Sequence, residues 1–290
     1  MSLSSYLSYV TGFRDIFARR LAIPPIRGTY SKLPLIPPTP YSELGHVLVD
    51  PNDSLFSICV DYGVRALISR SAKHPPETAS DGILSFMQSI RRIDDRVLVH
   101  RAAADYYDFL QKLPSSRPLL EMFEVFWRLG FADANFRYPK NNGLSDLPFP
   151  SNRSDELLRL FYAIPKRLFQ RNTCLLNPSF GLASQAIGGA DGDLLVDNCL
   201  VEVKCSRSLR NTRNGIIQLL GYWALQQIDA RINPWFRQPE IRSVAIFAPR
   251  FGELFEWTID ELIPPREQPL LIREVASRLE VRLPRRPSSS

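Results

Sequence analysis

Ala190-Asp191-Gly192-Asp193-Leu194-Leu195-Val196-Asp197-Asn198-Cys199-Leu200-Val201-Glu202-Val203-Lys204 is the stretch whose reading decides the fold. Leu194-Leu195-Val196 and Leu200-Val201 are strand formers, and Asp197-Asn198 between them is a turn pair that tolerates positive φ. A tight two-residue turn at that pair fixes the register of a hairpin. Asp193 then faces Glu202, and Asp191 faces Lys204. Period-2 alternation puts Glu202 and Lys204 on one face of their strand and Val201 and Val203 on the other. Directly opposed residues have Cβ atoms roughly 4.5–5.5 Å apart, a reach at which two carboxylates can share one cation. Two acids meeting in an apolar hairpin repel unless a lysine or a metal compensates them. The sequence supplies the lysine, and a metal is inferred.

An acid-x-lysine on a strand is, by itself, usually the solvated face of an antiparallel sheet. Two further features argue for chemistry. The second acid lies in register across the hairpin. The segment Gly215 to Ile228 also reads as a helix, with Gln218 and Tyr222 one turn apart on one side. Asp191 and Asp193 compete for the metal-binding position, and the register favours Asp193.

The order Asp, Glu-x-Lys, Gln-x-x-x-Tyr resembles the PD-(D/E)xK nuclease superfamily, in its RecB-like branch with a Gln-x-x-x-Tyr helix. The likeness runs from about Cys174 to Leu262. Asn177-Pro178-Ser179-Phe180, Gly188 to Leu194 and Gln218-Leu219-Leu220-Gly221-Tyr222 are also similar to a group of uncharacterised bacterial proteins carrying this domain. Gly192, where the motif has proline, is a departure shared by many members. The resemblance implies a restriction-endonuclease-like αβββαβ core, a central mixed sheet flanked by helices. It further implies a Mg²⁺- or Mn²⁺-dependent hydrolase of phosphodiester bonds, with DNA the expected substrate rather than RNA. In that reading Asp193, Glu202 and the backbone carbonyl of Val203 hold the metal, all hard oxygen donors. Lys204 orients the attacking water or stabilises developing charge, and Gln218 and Tyr222 position Lys204 or contact the phosphate beside the cut. Members often add an acid from the helix before the sheet, and Glu124 is the candidate here, with Glu121 and Glu156 as alternatives. The family's habits suggest defence against foreign DNA or DNA repair, with protein partners in a multi-subunit system. The alternative reading is a catalytically inactive nucleic-acid-binding or assembly subunit that keeps the fold. Degenerate members usually lose the lysine or an acid, and this chain keeps them.

Bulk properties set bounds. The 290 residues, 44% hydrophobic and 11% aromatic, can hold one large domain or a core with a helical extension. A net charge of +6 and a pI near 9.2 permit a polyanionic partner. Val203 to Ile228 contains no acid, while Lys204, Arg207, Arg210 and Arg213 follow the candidate site. Arg207, Arg210 and Arg213 are therefore candidate phosphate contacts. Cys59, Cys174, Cys199 and Cys205 form no Cys-x-x-Cys pair, so neither a disulfide framework, a zinc site nor the iron–sulfur cluster of related nucleases is expected. Reduced cysteines, no secretory h-region and no apolar run of membrane length suggest a cytoplasmic protein. No phosphate-cradling Gly-x-x-x-x-Gly-Lys-Ser/Thr loop is present, so coupling to ATP would need a partner.

Along the chain, 1–42 reads as an amphipathic helix (Phe13, Ile16, Phe17 and Leu21 on one side) followed by a Pro-rich connector. The helix suggests packing on the body of the protein more than a membrane or nucleic-acid surface. Region 43–170 reads as helical, with runs at 53–70, 81–93, 98–130 (split by Pro114) and 155–169. Asp61, Tyr62 and Arg65 sit at helical spacing from which they could reach the site, with packing the favoured role, and His46, His74 and His100 are too dispersed for a metal cluster. Region 171–262 is the nuclease-like core: strands at 174–177, 193–196 and 199–205, the helix at 215–228, a strand at 243–249 and an apolar-polar segment at 253–258. Region 263–290 reads as a C-terminal helix and a basic, disordered tail.

Overall fold

A computed structural model describes residues 13–21, 54–74, 77–78, 90, 93–111, 119–137, 149–206, 208–209, 212–233, 235 and 238–283. The elements, in order, are α1 (Phe13–Arg20), α2 (Ser54–Ser71), β1 (Glu77–Thr78), α3 (Ile93–Leu110), α4 (Leu119–Arg137), α5 (Ser154–Tyr162), α6 (Lys166–Phe169) and β2 (Cys174–Leu176). Then come α7 (Gly181–Gln185), β3 (Leu194–Val196), β4 (Cys199–Val203), α8 (Thr212–Ile232), β5 (Ser243–Ala248), β6 (Glu253–Thr258), α9 (Ile259–Leu262) and α10 (Gln268–Arg278). Among the described residues the sheet has six strands in the order β1-β2-β3-β4-β5-β6. It is mixed: β1 runs parallel to β2 and β4 parallel to β5, and the other neighbours are antiparallel. The chain is an α/β protein with helices on both faces of this sheet.

The hairpin forms in the expected register, with Leu194 opposite Val201, Leu195 opposite Leu200 and Val196 opposite Cys199. Asp197 takes φ 53 at the first turn position, which an Asp tolerates better than most residues. Its carboxylate accepts from the N–H groups of Asn172 and Thr173, which ties the turn to the approach to β2.

Alternation along the strands splits the core into two layers. Leu176, Leu194, Val196, Val201, Val203 and Phe247 pack with the apolar faces of α2 to α5. Leu175, Leu195, Leu200, Val244 and Ile246 pack with α1, α7, α8, α9 and α10. A sheet covered on both faces explains why β2, β3 and β4 are buried along their whole length. α8 lies against the second face and is apolar nearly all round, the pattern of a buried helix. α1 packs as the sequence suggests: Ile16 and Phe17 are fully buried in the second layer, and Arg20 pairs with Glu274 of α10.

The first layer holds a buried ionic triad. Arg153 and Arg250 both bond Glu156, at 2.9 and 2.8 Å, and all three side chains are almost fully buried. The Arg153 guanidinium also lies 3.4 Å from the centre of the Phe56 ring, so the triad joins α2, α5 and the end of β5. No helix among the described residues is long and apolar enough to cross a membrane. The connector at 24–42, the helical run at 81–89, His46 and the tail from 284 lie outside the described residues.

Candidate functional site

The site forms at the C-terminal end of β4, on the sheet face covered by α8. One residue beyond the β3–β4 ladder, the register brings Asp193 opposite Glu202, and alternation turns both toward that face. The Val203 N–H donates to Asp193 Oδ2 at 2.8 Å, which draws this carboxylate across the hairpin onto the end of β4. Glu202 is only 5% exposed. Lys204, two residues on along the same face, donates from Nζ to Glu202 Oε1 at 2.5 Å and to Gln218 Oε1 at 3.4 Å.

α8 completes the arrangement. Gln218 and Tyr222 lie one turn apart on its buried side, and Gln218 Nε2 donates to the Tyr222 hydroxyl at 3.0 Å. The Tyr222 ring stacks on Phe180, with centroids 4.9 Å apart. The helix can come this close because position 215 is glycine. A Cβ there would meet Ile246 Cδ1 at 2.8 Å and Lys204 Cε at 3.9 Å. The result is an unbroken chain from Glu202 through Lys204 and Gln218 to Tyr222, buttressed by Phe180.

The charges follow from burial and neighbours. Burial alone would lower the Lys204 pKa, but Glu202, Asp193 and, more weakly, Asp61 outweigh it and hold the amine above its ordinary value. Lys204 is therefore an ammonium at neutral pH. Burial, reinforced by Glu202, Asp191 and Asp193, pushes the Tyr222 phenol well above its ordinary value. Tyr222 is thus a neutral hydrogen-bonding group near pH 7.

Of the two roles open to Asp61 and Arg65, packing or reach to the site, their charges take part in the second. α2 carries Asp61 and Arg65 within electrostatic reach of the carboxylate pair. Arg65 is paired with Asp61 at 2.5 Å, donates to the side-chain oxygen of Asn177 and lies over the Tyr62 ring. Asn177, at φ 48, donates its N–H to the Asp193 carbonyl, so α2 reaches the hairpin through one residue. Burial, and then the Asp193 and Glu202 carboxylates, drive the Asp61 carboxyl well above its usual range, against the pull of Arg65. Asp61 Oδ1 is buried with no hydrogen-bond partner among the described residues. The signal in the sequence was an acid and an arginine one turn apart on an otherwise apolar helix.

Several expectations are corrected. Glu124 does not turn to the carboxylate pair. It bonds Arg128 one turn away and accepts from the Phe149 N–H, a solvent-edge arrangement on α4 that relieves the cost of an acid among aromatics. Glu156 is committed to the buried triad, and Glu121 is exposed. Asp191 is exposed and bridges to Ser179, because the chain before Leu194 hydrogen-bonds to the segment after β2, and its charge still reaches Tyr222. Arg213 is exposed in the first turn of α8, while Arg207 and Arg210 lie outside the described residues.

The donor set around Asp193 and Glu202 is all oxygen, which suits a hard divalent cation. Among the described residues no three His, Cys, Asp or Glu side chains converge closely enough to hold a metal by themselves. A cation held there would take the two carboxylates and need further oxygen donors, such as the Val203 carbonyl and water. The four cysteines are free and buried, and burial pushes the Cys174 and Cys199 thiols up to about 12, so both are protonated at neutral pH in the metal-free protein. No family model, curated protein or solved structure matches this chain.

Proposed function

We propose that this protein is a metal-dependent nuclease with a restriction-endonuclease-like core that hydrolyses phosphodiester bonds. The observation that carries the reading is the chain Glu202–Lys204–Gln218–Tyr222, which starts at two opposed carboxylates and places one ammonium between them and a rigid helix. A hairpin surface without function would have no reason to bury one acid, oppose it with another and anchor its lysine to a buried glutamine.

In this reading Asp193, Glu202 and the Val203 carbonyl hold Mg²⁺ or Mn²⁺, with Asp61 beside them. A bound ion of this class supplies Lewis-acid polarisation of the phosphate and lowers the pKa of its water. Lys204, fixed as an ammonium, stabilises the charge that grows on the phosphate during attack. Gln218 aims Lys204, and Tyr222 fixes the Gln218 amide. Arg213, with Arg207 and Arg210, supplies sequence-independent contacts to the phosphate backbone. DNA is favoured over RNA by the family resemblance, as is a role in defence or repair beside protein partners. The four free thiols support a cytoplasmic setting.

The test is incubation of the purified protein with single- and double-stranded DNA and RNA, linear and circular, in Mn²⁺, Mg²⁺ or EDTA. Cleavage of at least one substrate that stops in EDTA is expected. A protein that binds both Mn²⁺ and nucleic acid but leaves every substrate intact is instead a non-catalytic subunit.

A further inference from the structure

We infer that Lys204 has two seats, and that the one it occupies here, on Glu202, is the place a divalent cation must take. The ammonium is a built-in occupant that compensates the carboxylate pair until a metal arrives. This inference rests on the nuclease reading of the site above.

Two acid–cation pairs lie within electrostatic reach of one another here, Asp61 with Arg65 and Glu202 with Lys204, and Asp193 acts on both. The two cations are held very differently. Arg65 is almost fully buried, with its guanidinium between Asp61 and Asn177 and over Tyr62. The Lys204 side chain is 42% exposed. Of the two, Lys204 can move without opening the core.

Its second seat is already within reach. Gln218 Oε1 lies 3.4 Å from Nζ, a long contact compared with the 2.5 Å contact to Glu202. That acceptor is neutral, and Tyr222 and the Phe180 stack hold it in place. A dication on Asp193 and Glu202 repels the ammonium and takes over the oxygen that binds it. Lys204 then moves onto Gln218, which keeps it beside the site without competing for a carboxylate. The Gln-x-x-x-Tyr turn of α8 acts as a receiver for the displaced lysine, and the displacement opposes metal binding.

The consequence is a sign. If Lys204 and the metal compete for Glu202, removing the ammonium strengthens metal binding even as it removes a group needed for cleavage. Mn²⁺ titrated into the full-length protein and followed by electron paramagnetic resonance reads this without any substrate. Lys204→Met and Lys204→Gln should each bind Mn²⁺ at least about tenfold more tightly than wild type, a conservative figure for a unit charge a few ångströms from a dication. Gln218→Leu, which keeps the ammonium but removes its second seat, should bind Mn²⁺ more weakly than wild type. Both lysine variants binding with wild-type or lower affinity would overturn the two-seat inference and leave the nuclease reading intact. Wild type and both lysine variants all failing to bind Mn²⁺ would overturn the metal site itself, and the inference with it.

Discussion

The hydrogen bond between Gln218 and Tyr222 should behave as one buried unit, and a double-mutant cycle measures that. Tyr222 is 3% exposed and Gln218 9%, with 3.0 Å between the hydroxyl and Nε2. Tyr222→Phe keeps the ring and its stack on Phe180 but strands the Gln218 amide in the core. Gln218→Leu strands the hydroxyl. Leaving one buried partner unsatisfied costs about 1–3 kcal/mol, whereas replacing both with apolar groups of similar shape is nearly neutral. Each single variant should therefore lose about 1–2 kcal/mol, seen as a melting temperature lower by about 2–8 °C for a chain of this size. The double variant should lose less than the sum, with a coupling of about 1 kcal/mol or more. Urea unfolding of the four proteins in EDTA gives the cycle, and equal slopes confirm that one transition is being compared. Strictly additive losses would show that the two groups do not satisfy each other, and the proposed aim of Gln218 at Lys204 would fall with them.

Other outcomes follow from the same geometry. The Lys204 pKa is raised above its ordinary 10.5 in the fold, so its contribution to stability is fully present below that pH and is lost as pH rises through the folded value. In EDTA the stability difference between wild type and Lys204→Met should accordingly stay level through neutral pH and shrink in alkali; a difference that grew there would contradict the charge assignment. Glu156→Gln leaves Arg153 and Arg250 buried against a neutral amide and should cost about 3–5 kcal/mol by chemical denaturation. Replacing Arg207, Arg210 and Arg213 together with Gln should weaken nucleic-acid binding across all sequences and flatten its salt dependence, with little change in melting temperature. An unaltered salt slope would mean that these arginines touch no phosphate.

Much of the core was legible because its determinants are local. The turn pair Asp197-Asn198 sets the hairpin register, and that register alone opposes Asp193 to Glu202. The helix bearing Gln218 and Tyr222, read as 215–228, runs longer, from Thr212 to Ile232. The strand at Glu253–Thr258 falls where the apolar-polar segment was read. What stayed hidden depends on contacts between distant residues. β1 is two residues long and exists only through pairing with β2. α7 is five residues long, and its Ala183 N–H is met by the buried carboxylate of Asp229 on α8. Asp61 and Glu124 look alike in sequence, each an acid on an apolar helix. Which one comes within reach of the carboxylate pair is set by how α2 and α4 rotate against the sheet, and periodicity does not fix that rotation. Arg153 and Glu156 are a local pair, but Arg250 joins them from 94 positions beyond Glu156, a contact with no local signature.

The most direct test of the account compares wild type with Glu202→Gln, measuring Mn²⁺ binding and nucleic-acid cleavage on the same preparations. Glu202→Gln is nearly isosteric, so the fold should persist by circular dichroism. Wild type should bind Mn²⁺ and cut, and the variant should lose Mn²⁺ affinity and at least about a hundredfold in cleavage rate, the scale of removing a group that organises transition-state charge. Cleavage that survives undiminished in folded Glu202→Gln would contradict the claim that this carboxylate lies at the centre of the site.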